Sequence, residues 1–287
     1  MQTALGAPGS AGPASARGRR LILTADDFGL SEGVNEAVER AYREGVLTSA
    51  SLMVAAPAAA DAVRRAKAHP GLGVGLHLVL VEGPAILPPR DLPALVQEDG
   101  WFPANQARLG VRYGLSAAAR RQVAREIRAQ FAAFAATGLP LDHVDAHKHM
   151  HLHPLLAGLV IEIGAEFGMK ALRVPRGEGR ALEGFWAALL ARRARRAGLT
   201  IADRVLGIAH SGRLDEACLL GLLGSLGDGL SEIYLHPATG RNPLLARLMP
   251  AYRHEAELAA LLSPRVRAAL AARGLRPTTY AAAAQGL

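Results

Sequence analysis

Leu21-Ile22-Leu23-Thr24-Ala25-Asp26-Asp27-Phe28-Gly29-Leu30-Ser31 decides how the chain is read, because a short apolar run delivers two adjacent carboxylates into a turn. The run from Leu21 to Leu23 is too short for a helix and rich enough in branched residues for a buried strand. Gly29 and Ser31 then read as a turn and a helix N-cap. Asp26 and Asp27 are therefore expected at the carboxyl end of a first strand. In parallel α/β sheets, open or closed into a barrel, that end carries ligands and catalytic groups. A lone aspartate there would be read as a helix cap, but one cap needs only one side chain.

After Ser31, Val34, Ala37, Val38, Ala41 and Tyr42 repeat at helical spacing and Gly45 closes that helix. Residues 48–54 read as a second strand, 58–68 as a second helix and 73–80 as a third strand, an alternation that points to βα units and a mainly parallel sheet. Residues 81–115, punctuated by Pro84, Pro88, Pro89, Pro93, Gly100, Pro103 and Gly110, read as one long irregular stretch of the kind that shapes a substrate site. Helices are expected over 116–137, 154–167, 181–197, 214–226, 254–262 and 264–273, and strands over 141–145, 170–175 and 231–235. Ser263 and Pro264 form a helix start by composition. Residues 203–212 show no regular pattern.

The chain of 287 residues is 50% hydrophobic, enough for one barrel-sized domain over residues 20–287. The first 19 residues, rich in Ala, Gly, Pro and Ser and without an apolar signal segment, are expected to be a disordered tail. A single cysteine, Cys218, excludes an internal disulfide framework, and no apolar run is long enough to span a bilayer. A cytoplasmic protein is the expectation. The net charge of +8 invites a polyanion partner, yet only Arg192-Arg193-Ala194-Arg195-Arg196 is a local cluster, and aromatics at 5% provide no stacking platform, so nucleic acid is not an expected partner.

The strongest chemical signal is His143-Val144-Asp145-Ala146-His147-Lys148-His149-Met150-His151-Leu152-His153, in which histidine or aspartate occupies every second position. On an extended segment alternate side chains share a face, so Asp145, His147 and His149 would converge, whereas a helical turn would pair His147 with His151. Imidazoles beside carboxylates are usual ligands of a catalytic divalent metal, although histidines here can also cap helices or bond backbone carbonyls. His77 ends an apolar strand, Leu235-His236-Pro237 places a histidine where a late strand stops, and Arg173-Val174-Pro175 marks another strand end. With parallel strands all of these polar groups fall on one face.

Taken together, these residues resemble the YdjC-like carbohydrate deacetylases, relatives of the polysaccharide deacetylases. The similarity rests on Thr24-Ala25-Asp26-Asp27-Phe28-Gly29, Leu47-Thr48-Ser49-Ala50, Gly75-Leu76-His77 and the segment from His143 to His151, and it spans most of residues 20–240. It implies an α/β fold, a distorted (β/α) barrel of mainly parallel strands. It further implies Asp26 as catalytic base and Asp27, His77 and His147 as ligands of one divalent metal ion, magnesium or zinc. By donor chemistry two histidines and a carboxylate suit zinc, iron, manganese or, less naturally, magnesium. His236 and Arg173 match later motifs of the wider group. His236 is then the proton donor to the leaving nitrogen and Arg173 orients Asp26 or steadies developing charge. Asp145, His149 and His151 are expected to support the ligands or the substrate. Ala146 stands where the family often has Ser.

Within the family, Ala202-Asp203-Arg204-Val205-Leu206-Gly207 and His210-Ser211-Gly212 are most similar to the hopanoid-biosynthesis-associated branch. That resemblance implies deacetylation of an N-acetylglucosaminyl hopanoid, a glycolipid. A lipid-linked substrate would in turn suit a peripheral contact between the Arg-rich helix near Arg192 to Arg196 and the inner membrane, and a homodimer is a further partner state to be tested. The alternatives are a deacetylase of soluble chitooligosaccharides or other N-acetylated sugars and, from another class, a non-catalytic metal- or polyanion-binding protein. Asp26, a second carboxylate with no structural need beside Asp27, argues for turnover.

Overall fold

Leu21, Ile22 and Leu23 are fully buried in strand β1 (Arg19–Phe28), which lies at the centre of a parallel sheet. The structure, a computed structural model, describes residues 18–177 and 181–285. The expected N-terminal tail lies outside these residues up to position 17, and β1 already begins at Arg19. In chain order α1 (Glu32–Glu44), β2 (Ser49–Leu52), α2 (Ala59–Ala68) and β3 (Gly73–Leu78) follow as the alternation predicts. Then come α3 (Gln106–Leu115), α4 (Ala117–Ala136), β4 (Val144–Ala146), α5 (Pro154–Glu166), α6 (Ala181–Arg196), β5 (Arg204–Leu206), α7 (Glu216–Gly224) and β6 (Gly229–Leu235). The chain ends with α8 (Pro243–Leu248), α9 (His254–Leu262), α10 (Pro264–Ala272), β7 (Arg276–Pro277) and α11 (Tyr280–Ala284). Among the described residues no helix is long and apolar enough to cross a membrane.

The strands run in the order β4-β3-β2-β1-β6-β5, every pair parallel, with β7 added beside the start of β1. Parallel strands need crossovers, and the helices supply them while covering the outer face. Residues 170–176 join the two ends of this order. Val144 N–H donates to the Ala171 carbonyl (3.1 Å), Arg173 N–H to the Val144 carbonyl (2.9 Å) and Val205 N–H to the Arg176 carbonyl (2.8 Å). The result is the curled, distorted parallel barrel expected from the sequence. Its irregular side is the segment read as a strand over 170–175, where only the single bridges Val144 to Leu172 and Ala171 to Thr200 form.

Other local expectations shift. The stretch 81–115 is not wholly irregular, because α3 occupies its last ten residues with Asn105 accepting from the Arg108 N–H as N-cap. Gly110 and Gly114 obscure the pattern, and only Leu109 and Tyr113, four apart, are buried. The strand expected over 141–145 is regular only from Val144. The last strand and helix, β7 and α11, were not readable from the alanine-rich C-terminal residues.

The barrel interior below the site is polar and tightly fitted. His143, fully buried, lies between the Asp142 carboxylate (2.8 Å) and the Ser51 hydroxyl (3.0 Å), and its ring occupies the space in front of Gly75 on β3. A Cβ at Gly75 would meet that ring at 2.5 Å. Gly75→Ala should therefore lower stability by about 1–3 kcal/mol, the usual cost of forcing atoms into a filled core, as read from denaturant unfolding; an unchanged midpoint would show that the ring can move aside.

Candidate active site

Asp26 and Asp27 stand where the register between β1 and β2 shifts, between Ala25 and Phe28. Such a break re-aims side chains that strict alternation would send to opposite faces. Asp27 also adopts a left-handed backbone (φ 62°), followed by a turn in which Leu30 N–H donates to the Asp27 carbonyl (2.9 Å). The buried Asn35 of α1 fixes this turn, its side-chain oxygen accepting from the Gly29 N–H at 2.8 Å. Both aspartates consequently line one cavity of about 300 Å³, together with His77, His147, His149 and His236.

His77 on β3 lies opposite Asp145 on β4, and its Nδ1 bonds the Asp145 carboxylate at 2.9 Å. That contact leaves Nε2 facing Asp27 at 3.4 Å, while His147, the residue after β4, presents Nδ1 to the same Asp27 oxygen at 3.2 Å. Both oxygens of the buried Asp27 carboxylate lack a well-formed hydrogen bond. Burial alone would raise the Asp27 carboxyl, but the charge and contacts of His147, with those of His77, hold it well below the usual carboxylate range. His77 is opposed by burial too, yet Asp145 and then Asp27 push it up to about 10 in the metal-free protein.

This donor set fits a divalent cation. One carboxylate and two imidazoles offer ligand atoms within 4.8 Å of one another, and the orphaned Asp27 oxygens point into the gap between them. The charge balance agrees: Asp26, Asp27, Asp145 and Glu232 are all buried around a single buried guanidinium, so a dication offsets negative charge there.

That guanidinium is Arg173, which is fully buried and forms a bidentate pair with Asp26 at 2.7 and 2.8 Å. It also bonds Glu232 through Nε (3.0 Å) and Nη2 (2.8 Å), and it pairs with Asp145. The Ser51 hydroxyl donates to the second Asp145 oxygen at 3.0 Å. His151 does not join the cation cluster; its Nε2 donates to the Arg173 carbonyl at 2.8 Å, and burial lowers its pKa to about 4, so it stays neutral. His149 does not converge with Asp145 and His147 either. Lys148 and His149 turn left-handed (φ 50° and 54°), breaking the expected alternation, and His149 Nε2 bonds the Tyr234 hydroxyl at 3.1 Å. His236 lines the cavity with its Nδ1 unpartnered and its ring against Tyr252 (centroids 5.0 Å apart). Glu232, Tyr234 and Ser51 escaped the sequence reading because each lies within a strand and not at the strand end where chemistry was sought.

The model of the family described as YdjC-like protein matches residues 20–272. The chain belongs to the YdjC-like family. Among its relatives, a carbohydrate deacetylase of Geobacillus stearothermophilus is 35% identical over 264 residues, covering 91% of this chain and 97% of the relative. A chitooligosaccharide deacetylase of Salmonella schwarzengrund is 30% identical over 282 residues, covering 91% and 98%. Of solved structures, a putative cellobiose-phosphate cleavage protein of Enterococcus faecalis superposes with a TM-score of 0.78 at 25% identity, over 93% of this chain and 99% of that one.

The His77 shift makes a prediction for the metal-free protein. Its folded pKa is about 10, against about 6.5 unfolded, so its contribution to stability is fully present below about pH 6.5 and is lost as pH rises through the folded value. Denaturant unfolding from pH 6.5 to 10 should show this decline, and His77→Gln should remove that part of the slope. An identical slope in the variant would mean that His77 does not carry the proton.

Proposed function

We propose that the chain is a metal-dependent carbohydrate N-deacetylase, hydrolysing a sugar acetamide to acetate and a free amine. The arrangement of the two adjacent aspartates carries this reading. Asp27 faces His77 and His147 with neither oxygen in a well-formed hydrogen bond, while Asp26 is held on Arg173 beside them. Asp27, His77 and His147 would hold the ion, zinc or magnesium. When bound, such an ion polarises the acetyl oxygen and acidifies water.

The protein's own groups account for the proton traffic. Asp26 takes the proton of the attacking water as its oxygen bonds to the acetyl carbon, with Arg173 keeping the carboxylate in one orientation. His236, which lines the cavity and whose Nδ1 has no hydrogen-bond partner, gives a proton to the nitrogen as the C–N bond breaks. Asp145 holds the His77 tautomer that leaves Nε2 for the ion.

For the substrate, the glycolipid reading is supported by one apolar cavity wall, formed by Ile208, Leu248, Met249, Pro250 and Tyr252, and by the resemblance around residues 202–212. Exposed Phe185, Arg192, Arg195 and Arg196 on α6 would suit a peripheral contact with an anionic membrane. The soluble-sugar reading is favoured by the similarity to a chitooligosaccharide deacetylase along nearly that protein's full length. Acetate release from an N-acetylglucosaminyl hopanoid and from diacetylchitobiose separates the two, and release from neither would reject the deacetylase reading.

Asp26→Asn should retain bound metal and lose about two or more orders of magnitude in turnover, the scale of general-base catalysis. His147→Ala should instead lower the metal content of purified protein. Normal turnover in the first variant, or full metal content in the second, would remove that residue from its role.

A further inference from the structure

The C-terminal strand and helix lie beyond the residues matched by the family, which end at 272. They are nevertheless built into the barrel. β7 pairs with Arg20 and Leu21 of β1, and Thr278 N–H donates to the Leu21 carbonyl at 2.9 Å. Asp142 accepts from the N–H groups of Ala281 (2.8 Å) and Tyr280 (3.3 Å). This anchorage drives Tyr280, fully buried, into the polar interior. Its hydroxyl donates to Glu232 Oε2 at 2.5 Å, and its ring packs on His143 with centroids 5.0 Å apart.

Glu232 is the link between that tyrosine and the site. Its Oε1 accepts from Arg173 Nε and Nη2 and from the Thr24 hydroxyl (2.7 Å), so Tyr280 is the donor that fixes the other oxygen. Arg173 has five N–H groups. Two go to Glu232, two to Asp26 and one to Asp145, which leaves the fork no alternative orientation while Glu232 stays put. Without the tyrosine hydroxyl, a buried carboxylate oxygen loses its partner and Glu232 gains a reason to rotate.

We infer that Tyr280 and Glu232 are positioning residues of the reaction: through Arg173 they set the orientation of Asp26, so the C-terminal segment completes the active site from the far end of the barrel. The inference rests on the deacetylase reading for its consequence in turnover, but its geometric content does not.

The test uses the metal-loaded full chain as wild type, Tyr280→Phe and Glu232→Gln, with diacetylchitobiose and the glycolipid as substrates and crystal structures of all three. The Phe variant keeps the ring and its packing. In both variants kcat should fall about tenfold or more, the scale of a small misplacement of a catalytic group, with KM and metal content unchanged and the Arg173 fork turned off Asp26. A purely structural role would lower the melting temperature while leaving kcat per folded molecule as in wild type, and that outcome overturns the inference, as does an Arg173 to Asp26 pair unchanged in both variants. Should wild type release no acetate from either substrate, the deacetylase reading fails by itself. The crystal structures then decide the inference, a turned fork supporting it and an unchanged fork overturning it.

Discussion

One buried guanidinium holds this structure's chemistry in place. Arg173 pairs with Asp26 from β1, Asp145 from the end of the sheet at β4 and Glu232 from β6, with no exposure to solvent. A buried charge is tolerated only when its donors are all met, and removing one partner of such a group typically costs about 3–5 kcal/mol. Arg173 also lies on the irregular segment that joins β4 to β5. Closure of the barrel and alignment of the site therefore depend on the same residue, and the His151 contact to its carbonyl pins the backbone that delivers it.

Backbone strain gathers around the same cavity. Among the described residues, Asp27, Glu82, Lys148 and His149 are the non-glycine residues with left-handed backbone, and all four line it. Each such conformation costs about 1–3 kcal/mol and persists only when neighbours over-determine it. The neighbours are visible: Asn35 fixes the turn after Asp27, Gln106 of α3 donates to the Lys148 carbonyl (2.9 Å), and Lys148 and Glu82 form an ion pair at the rim. The helix hidden in the proline-rich stretch thus has a local purpose, since it steadies the turn that carries His147.

The strand-end logic of a parallel sheet was enough to read from the sequence which residues meet, because β1, β3 and β4 each deliver a polar side chain to one face: Asp26 and Asp27, His77, and Asp145 with His147. Period-two spacing carried the argument only as far as His147. Beyond it the left-handed pair Lys148 and His149 redirects the chain, and His149 and His151 go to Tyr234 and to the Arg173 carbonyl instead. Glu232 and Tyr280 were out of reach for a different reason. One is a single acid among apolar strand residues, the other a single tyrosine in an alanine-rich tail, and only the tertiary pairing of β6, β1 and β7 brings them to Arg173.

The proposed chemistry requires two neighbouring aspartates to have separate tasks, with the cation on Asp27 and not on Asp26. Anomalous diffraction from crystals of the zinc-loaded protein locates the ion most directly. The structure predicts a single peak bounded by Asp27, His77 and His147, with Asp26 still paired to Arg173. A peak instead between Asp26, His77 and Asp145, the alternative cluster of donors, or an Asp26 released from Arg173 to bind the ion, would contradict it.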